Sequence, residues 1–147
     1  MIITTGDDPA ETIMQQAQAL AGKTGWRYVA RGERSIGKLI DASGAEAAIC
    51  LVQGTARLHR AGEPVRAFHP SMGFIRAKRI LKGESDPMLD AAGMMPGDSV
   101  IDCTAGLGGD SLVFSVLAGP AGAVTAVESS PHLYALLLAG MAVYGSR

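Results

Sequence analysis

The spacing of apolar and polar positions changes several times along the chain, and each change marks an element. "MIITTG" is a short β-branched run that predicts a strand. It gives way to "DDPAETIMQQAQALAG", where Ile13, Ala17, Leu20 and Ala21 recur at helical spacing. Asp8 as N-cap, Pro9 at the first helical position and Glu11 three residues after the cap predict a capping-box start. With Gly22 as the stop, this helix is expected from Pro9 to about Ala21. "WRYVA" reads as a strand, and Ser35 to Ala42 as a short helix ended near Gly44. "AAICLV", "TARLHR" and "VRAFH" read as three strands joined by turns at Gln53-Gly54 and Ala61-Gly62-Glu63-Pro64. The irregular alternation predicts a small α+β lobe over residues 1–68.

From His69 the pattern becomes helical. "PSMGFIRAKRILKG" predicts a helix capped by Ser71 and stopped at Gly83, and "SDPMLDAAG" a shorter one with Asp86 as cap and Pro87 first. Residues 69–98 therefore read as a helical connector. After it, "SVIDC" and "AVTAVE" have the pattern of buried strands, while "DSLVFSVLAG" and "SSPHLYALLLAGMAVY" read as helices, the second capped by Ser130. Strand, glycine loop, helix, strand, helix requires parallel strands joined by a right-handed crossover. Residues 99–147 thus read as the start of an α/β sheet.

Composition narrows the class. Apolar residues make up 48% of the 147 positions and charged residues 18%, the balance of a soluble globular domain. Cys50 and Cys103 lie in apolar runs with no CxxC or metal-ligand spacing, which predicts buried thiols in a reducing compartment. The opening segment turns polar after three residues and lacks a basic start, so no secretory signal is expected. The apolar run Leu133 to Val143 is shorter than the ~20 residues a membrane span needs and reads as a core helix. A cytoplasmic location follows as the expectation. Residues 1–82 hold twelve Lys/Arg and seven Asp/Glu, whereas residues 83–147 hold seven acids and Arg147 alone. A basic surface attracts polyanions, and an acidic cleft suits a ligand bearing positive charge.

The glycine loop carries the chemistry. In parallel sheets ligands bind outside the carboxyl ends of the strands, where Gly106, Gly108 and Glu128 fall. Glycines at 106 and 108 permit a sharp turn and close ligand approach. Glu128, at the end of the second strand, can accept hydrogen bonds from both hydroxyls of a ribose, which points to an adenosine-containing cofactor. A dinucleotide fits poorly, because Ser111 stands where the fingerprint has glycine or alanine and Asp110 places an anion where phosphates would dock. S-adenosylmethionine, with an amino group and a sulfonium, tolerates that anion, and Asp102 can help to hold the amino group.

At these residues the sequence resembles class I S-adenosylmethionine-dependent methyltransferases, "DCTAGLGGD" matching their motif I and "VTAVESSP" their motif II. Within them it is most similar to the bacterial small-subunit ribosomal RNA guanine-N2 methyltransferase family and its uncharacterised relatives, over roughly residues 68–140. The resemblance implies a Rossmann-like class I methyltransferase sheet preceded by an accessory lobe, with RNA as substrate. It implies cofactor contacts from Asp102, Thr104, Ala105, Gly106, Leu107, Gly108, Gly109, Asp110, Glu128 and Ser129. Gly109 departs from the family's arginine, leaving only its backbone to take part. The transfer site of that family lies in an Asp-Pro-containing motif after the fourth strand, so catalytic residues are expected beyond Arg147 and the chain reads as an N-terminal portion. Such a portion is expected to lack turnover alone and to self-associate through exposed apolar surface. A non-catalytic cofactor-binding or regulatory module is the alternative.

Arg76, Lys78, Arg79 and Lys82 make the first connector helix basic. They read either as contacts to RNA phosphates or as a solvated helix face. His69 and His132 read as a turn residue and a first-turn helix residue rather than as catalytic groups.

Overall fold

The structure, a computed structural model, describes residues 1–144; the last three positions of the expected 99–147 region lie outside the described residues. The chain forms two compact units, one of residues 1–69 with the segment from Tyr134 onward, the other of residues 70–133.

The first unit is built on a five-stranded mixed sheet in the order β2-β1-β3-β4-β5. Strand β1 (Ile2–Thr5) is buried throughout and pairs in parallel with β2 (Arg27–Tyr28) and β3 (Ala47–Val52). Strands β4 (Thr55–Arg60) and β5 (Arg66–Ala67) extend it antiparallel. Helix α1 (Glu11–Thr24) connects β1 to β2, and α2 (Ile36–Ser43) connects β2 to β3. The first crossover steps from β1 to β2 and the second steps back past β1 to β3, so right-handed connections put the two helices on opposite faces. Ile36, Leu39 and Ile40 of α2 pack on Ile2, Ala48 and Cys50, while α1 buries Ile13, Ala17 and Leu20. The expected α+β lobe is therefore a doubly wound parallel core, β2-β1-β3, with a hairpin and an edge strand added. Irregular helix lengths hid that alternation in the sequence.

Local chemistry explains where the elements depart from expectation. Helix α1 has no capping box: Ala10 occupies the N-cap without a side-chain bond, and its carbonyl accepts the N–H groups of Ile13 and Met14 at 3.0 and 3.2 Å. The helix runs through Gly22, since an interior glycine costs only about 1 kcal/mol relative to alanine. It stops at Gly25, whose φ of 72° suits a left-handed cap and whose N–H bonds Ala21 O at 2.9 Å. Helix α2 begins and ends as expected, with the Ser35 hydroxyl accepting the Lys38 N–H and Gly44 left-handed. "WRYVA" and "VRAFH" supply only two-residue strands at the two sheet edges, where one side alone can be paired.

Helix α6 (Pro131–Tyr144) begins in the second unit and contributes Ala135, Leu136, Ala139 and Val143 to buried positions of the first. The ring of Phe68 lies where a side chain on Gly140 would have to go, so that position admits no Cβ. Trp26 meets Tyr134 edge to face, with ring centroids 6.4 Å apart. Among the described residues no helix is long and apolar enough to cross a membrane.

The second unit contains α3 (Ser71–Leu81), α4 (Pro87–Ala92), β6 (Ser99–Asp102), α5 (Gly109–Ala118), β7 (Ala123–Ala126) and the start of α6. Strands β6 and β7 are parallel, with Ser99 opposite Ala123 and Asp102 opposite Ala126. Val100 and Val124 face a core of Leu89, Met94, Val113 and Ala118. The opposite face differs from the buried pattern expected: Ile101 is 68% exposed and Val127 just beyond β7 is 49% exposed. Within the described residues nothing covers that side. Ser71 opens α3 rather than capping it, with Pro70 at the cap position. Asp86 does cap α4, accepting the N–H groups of Met88 and Leu89.

Two contacts join the helices of this unit. A Cβ on Gly73 would run into the Gly109 carbonyl and Cα, so α3 crosses the start of α5 at backbone distance. Arg76 reaches from α3 to two carboxylates. Its Nε and Nη2 donate to Asp86 at 2.7 and 2.8 Å, and its Nη1 donates to Asp110 at the start of α5. Asp86 is buried, and the guanidinium holds its carboxyl down at about 2.

Removing either contact should destabilise this unit. Asp86→Ala leaves a partly buried guanidinium short of its bidentate partner and uncaps α4, with an expected cost of about 3 kcal/mol in denaturant unfolding. A carboxyl lowered by folding contributes stability that is complete above its unfolded value and is lost as pH falls through the folded one. Wild-type stability should accordingly drop by about 2 kcal/mol between pH 4 and 2 relative to the Asp86→Ala protein. Gly73→Ala should cost about 2 kcal/mol or more by forcing α3 away from α5, and a melting temperature equal to wild type would show that the helices part freely.

Candidate functional site

The loop after β6 is shaped by carboxylates at the ends of both strands of the second unit. Strand pairing continues past the regular ladder, with Val127 N donating to Asp102 O at 2.7 Å and Ala105 N to Val127 O at 3.0 Å. Asp102, 8% exposed, then turns its side chain inward. One oxygen accepts the Thr104 N–H at 3.1 Å, and the other accepts the hydroxyl of Ser111 in the first turn of α5. The reversal is completed by Gly106 and Gly108, at φ of 54° and 76°, and by a 2.7 Å bond from Gly108 N to Ala105 O. Around Gly106 there is room for a Cβ, so its left-handed backbone, not crowding, is what selects glycine. Gly108 is the N-cap of α5, with Leu112 N donating to its carbonyl at 2.9 Å.

Glu128 closes the loop from the second strand. Its Oε2 accepts the Gly106 N–H and its Oε1 the Ser130 N–H, both at 2.8 Å. These amide bonds, Ser130 first, hold the carboxyl below its ordinary range and keep it charged. Ser130 in turn caps α6, its hydroxyl accepting Leu133 N–H at 3.3 Å. The Ser129 backbone amide adds to the effect of these amide bonds on the same carboxylate. One oxygen faces the α6 cap and the other the Gly106 amide. The same bond removes the Gly106 N–H from any phosphate, since that donor already faces an anion.

The predicted cofactor residues fall into two groups. Asp102, Thr104, Ala105, Gly106, Leu107, Gly108 and Glu128 converge on the loop, with Ser129 exposed beside it. Gly109 and Asp110 begin α5, and Asp110 is turned to Arg76, so the anion expected at the helix start is neutralised. Asp102 is turned inward onto Thr104 and Ser111, orienting the loop. Ser111, read from sequence only as an objection to a dinucleotide, is the residue that anchors Asp102. A small hydroxyl in the first helical turn, nine positions after a strand-end aspartate, was the available signal.

The basic helix is also partly accounted for by local contacts. Arg76 is held by Asp86 and Asp110, and Arg79 by Glu84 at 2.7 Å. Lys78 sits over the Phe74 ring, 4.3 Å from its centroid. Lys82 follows the helix as its C-cap. Arg76 thus works as an internal tie, which differs from a phosphate contact on a free helix face. Among the described residues no cluster of His, Cys, Asp and Glu could hold a metal ion.

No family model matches the chain. It is 34% identical over 139 residues to the uncharacterized protein YpiP of Bacillus subtilis (strain 168), an alignment covering 93% of this chain and 52% of YpiP. It is 47% identical over 60 residues to ribosomal RNA small subunit methyltransferase J of Rhodopseudomonas palustris (strain HaA2), covering 40% of this chain and 26% of that enzyme. The crystal structure of a SAM-dependent methyltransferase from Neisseria gonorrhoeae superposes with a TM-score of 0.54 at 22% identity, covering 96% of this chain and 51% of the other. The chain therefore spans about half the length of YpiP and of the gonococcal protein, and about a quarter of methyltransferase J. In sequence it resembles the small-subunit ribosomal RNA methyltransferases and an uncharacterised relative, and in fold a SAM-dependent methyltransferase.

Proposed function

We propose that the protein is an S-adenosylmethionine-dependent methyltransferase acting on RNA, with the exocyclic amine of a ribosomal guanine as acceptor. This chain supplies the cofactor-holding part. Because it spans only part of each relative, transfer is proposed for the whole protein. The observation that carries the reading is the Glu128 carboxylate just past the second strand, fixed in its charged form by backbone amides beside two left-handed glycines.

These residues fit the cofactor. Glu128 would take the ribose hydroxyls, and Gly106 and Gly108 would allow the nucleoside to approach the backbone. Thr104, Ala105, Leu107, Gly109 and Ser129 would line that approach. Asp102 and Ser111 would keep the loop in register, and the acidic strand ends would favour a cationic amino acid tail over phosphates. The bound cofactor supplies an electrophilic sulfonium methyl. What the protein adds to an in-line displacement is chiefly proximity and orientation, which a loop tied at both strand ends provides.

Two substitutions in the whole protein test this reading. Glu128→Ala should weaken S-adenosylhomocysteine binding by roughly ten- to a hundredfold, the value of hydrogen bonds to a charged acceptor. Calorimetry showing wild-type affinity would remove Glu128 from the site. Gly108→Val places a β-branched side chain at a left-handed position, and cofactor binding should fall below detection while the thermal transition persists. Normal binding by that variant would mean that the loop is a structural turn.

A further inference from the structure

The cations of α3 are largely engaged at home, whereas the first unit holds four arginines that are not. Arg31 and Arg34, in the loop between β2 and α2, brace each other through backbone. Arg31 Nε donates to Arg34 O at 2.9 Å, and Arg34 Nε donates to Arg31 O at 3.3 Å. Arg34 Nη2 also reaches Ala30 O at 3.1 Å, and Arg27 Nη2 reaches Ser43 O at 3.0 Å. Among the described residues none of Arg27, Arg31, Arg34 and Arg57 forms an ion pair with a carboxylate. Each keeps guanidinium N–H groups for another acceptor.

The sheet brings these arginines towards one another. In the β3–β4 ladder Arg57 stands opposite Cys50 and His59 opposite Ala48, so the two side chains share the face that α2 partly covers. Arg31 is near enough for its charge, after burial and that of Arg57, to hold His59 below its usual value. On the other side of the same loop, Arg27 and Arg34 line a shallow depression of about 460 Å³ with Tyr28, Val29, Ala30 and Ser43 and no acidic side chain. Among the described residues neither Glu33, exposed in this loop, nor Asp7, whose charge reaches Cys50, pairs with an arginine, and Asp41 and Glu46 lie on either side of Ser43 in the chain.

We infer that Arg27, Arg31, Arg34 and Arg57 form a band on the first unit that binds the phosphodiester backbone of RNA. The guanidinium groups of Arg27, Arg31 and Arg34, pinned by backbone carbonyls, present their remaining donors with little loss of side-chain freedom, the arrangement that suits phosphate oxygens, and Arg57 adds its charge from the neighbouring strand. Tyr28 at the edge of the depression offers a ring for a splayed base. The choice of RNA as the polyanion rests on the proposed function. The location of the band rests on the arginines themselves.

The test uses the whole protein and a fluorescein-labelled single-stranded RNA oligonucleotide, read by anisotropy across a salt series. Arg31→Gln combined with Arg57→Gln should weaken binding about tenfold or more and flatten the logarithmic salt slope by about 1.4, two contacts at ~0.7 each. S-adenosylhomocysteine affinity should be unchanged. If circular dichroism shows that this variant does not fold, Arg27→Gln with Arg34→Gln should give the same loss. An unaltered slope in the folded variant overturns the band, as does an equal loss from Lys78→Gln with Lys82→Gln. Arginine-dependent binding to phosphatidylserine vesicles but not to RNA would overturn it too. Band-dependent RNA binding by a protein with no affinity for S-adenosylhomocysteine would sink the methyltransferase reading and leave the band standing.

Discussion

Each of the two parallel strands of the second unit ends in a carboxylate, and the loop between strand and helix takes its shape from the groups those anions gather. Asp102 collects the Thr104 N–H and the Ser111 hydroxyl, and Glu128 collects the Gly106 and Ser130 N–H groups. A glycine-rich segment has much conformational entropy to lose, and hydrogen bonds to ionised acceptors are among the few local interactions strong enough to offset it. Ser130 links the same set to the cap of α6. Once both anions are in place, the left-handed angles at Gly106 and Gly108 are the remaining way to close the turn.

Charge is arranged differently in the two units. In the second, the one arginine that reaches the loop region is neutralised by Asp86 and Asp110, so its positive charge organises helices. In the first, Arg60 and Arg66 meet Glu63, whereas Arg27, Arg31 and Arg34 are braced against carbonyl groups, which holds them without cancelling their charge. A carboxylate partner and a carbonyl partner therefore lead to opposite outcomes for the same side chain: an internal tie in one case, an outward-facing donor in the other.

What the sequence revealed depended on whether the deciding interaction was local. The strand-loop-helix-strand order, the Asp86 cap, the Ser35 and Gly44 ends of α2 and the Glu128 position were legible, because each is set within a few residues or by strict alternation of elements. The parallel order β2-β1-β3 was not, since β2 is two residues long and its pairing with β1 joins positions far apart in the chain. The start of α1 was misread because Asp8, Pro9 and Glu11 satisfy the capping rule while the chain turns two residues later, at Ala10. Glu128 stands just past the second strand, where the alternation of elements put it. The roles of Ser111 and Arg76 were not legible, because they exist only through partners brought by other elements.

The path of α6 has a consequence for how the molecule is made. Its buried residues from Ala135 to Val143 belong to the first unit, and Gly140 accepts the ring of Phe68, yet residues 70–133 intervene in the chain. As the polypeptide leaves the ribosome, the sheet of the first unit is complete long before its last helix exists. Until then the ring of Phe68 lacks the Gly140 backbone it packs against. Closing that gap as an unstructured loop would cost configurational entropy that grows with its length. Folding residues 70–133 into a compact body shortens the gap to the distance between its two ends. Completion of the first unit is thereby coupled to folding of the second, so that a lesion near the glycine loop should also be felt as slow maturation of the amino-terminal sheet.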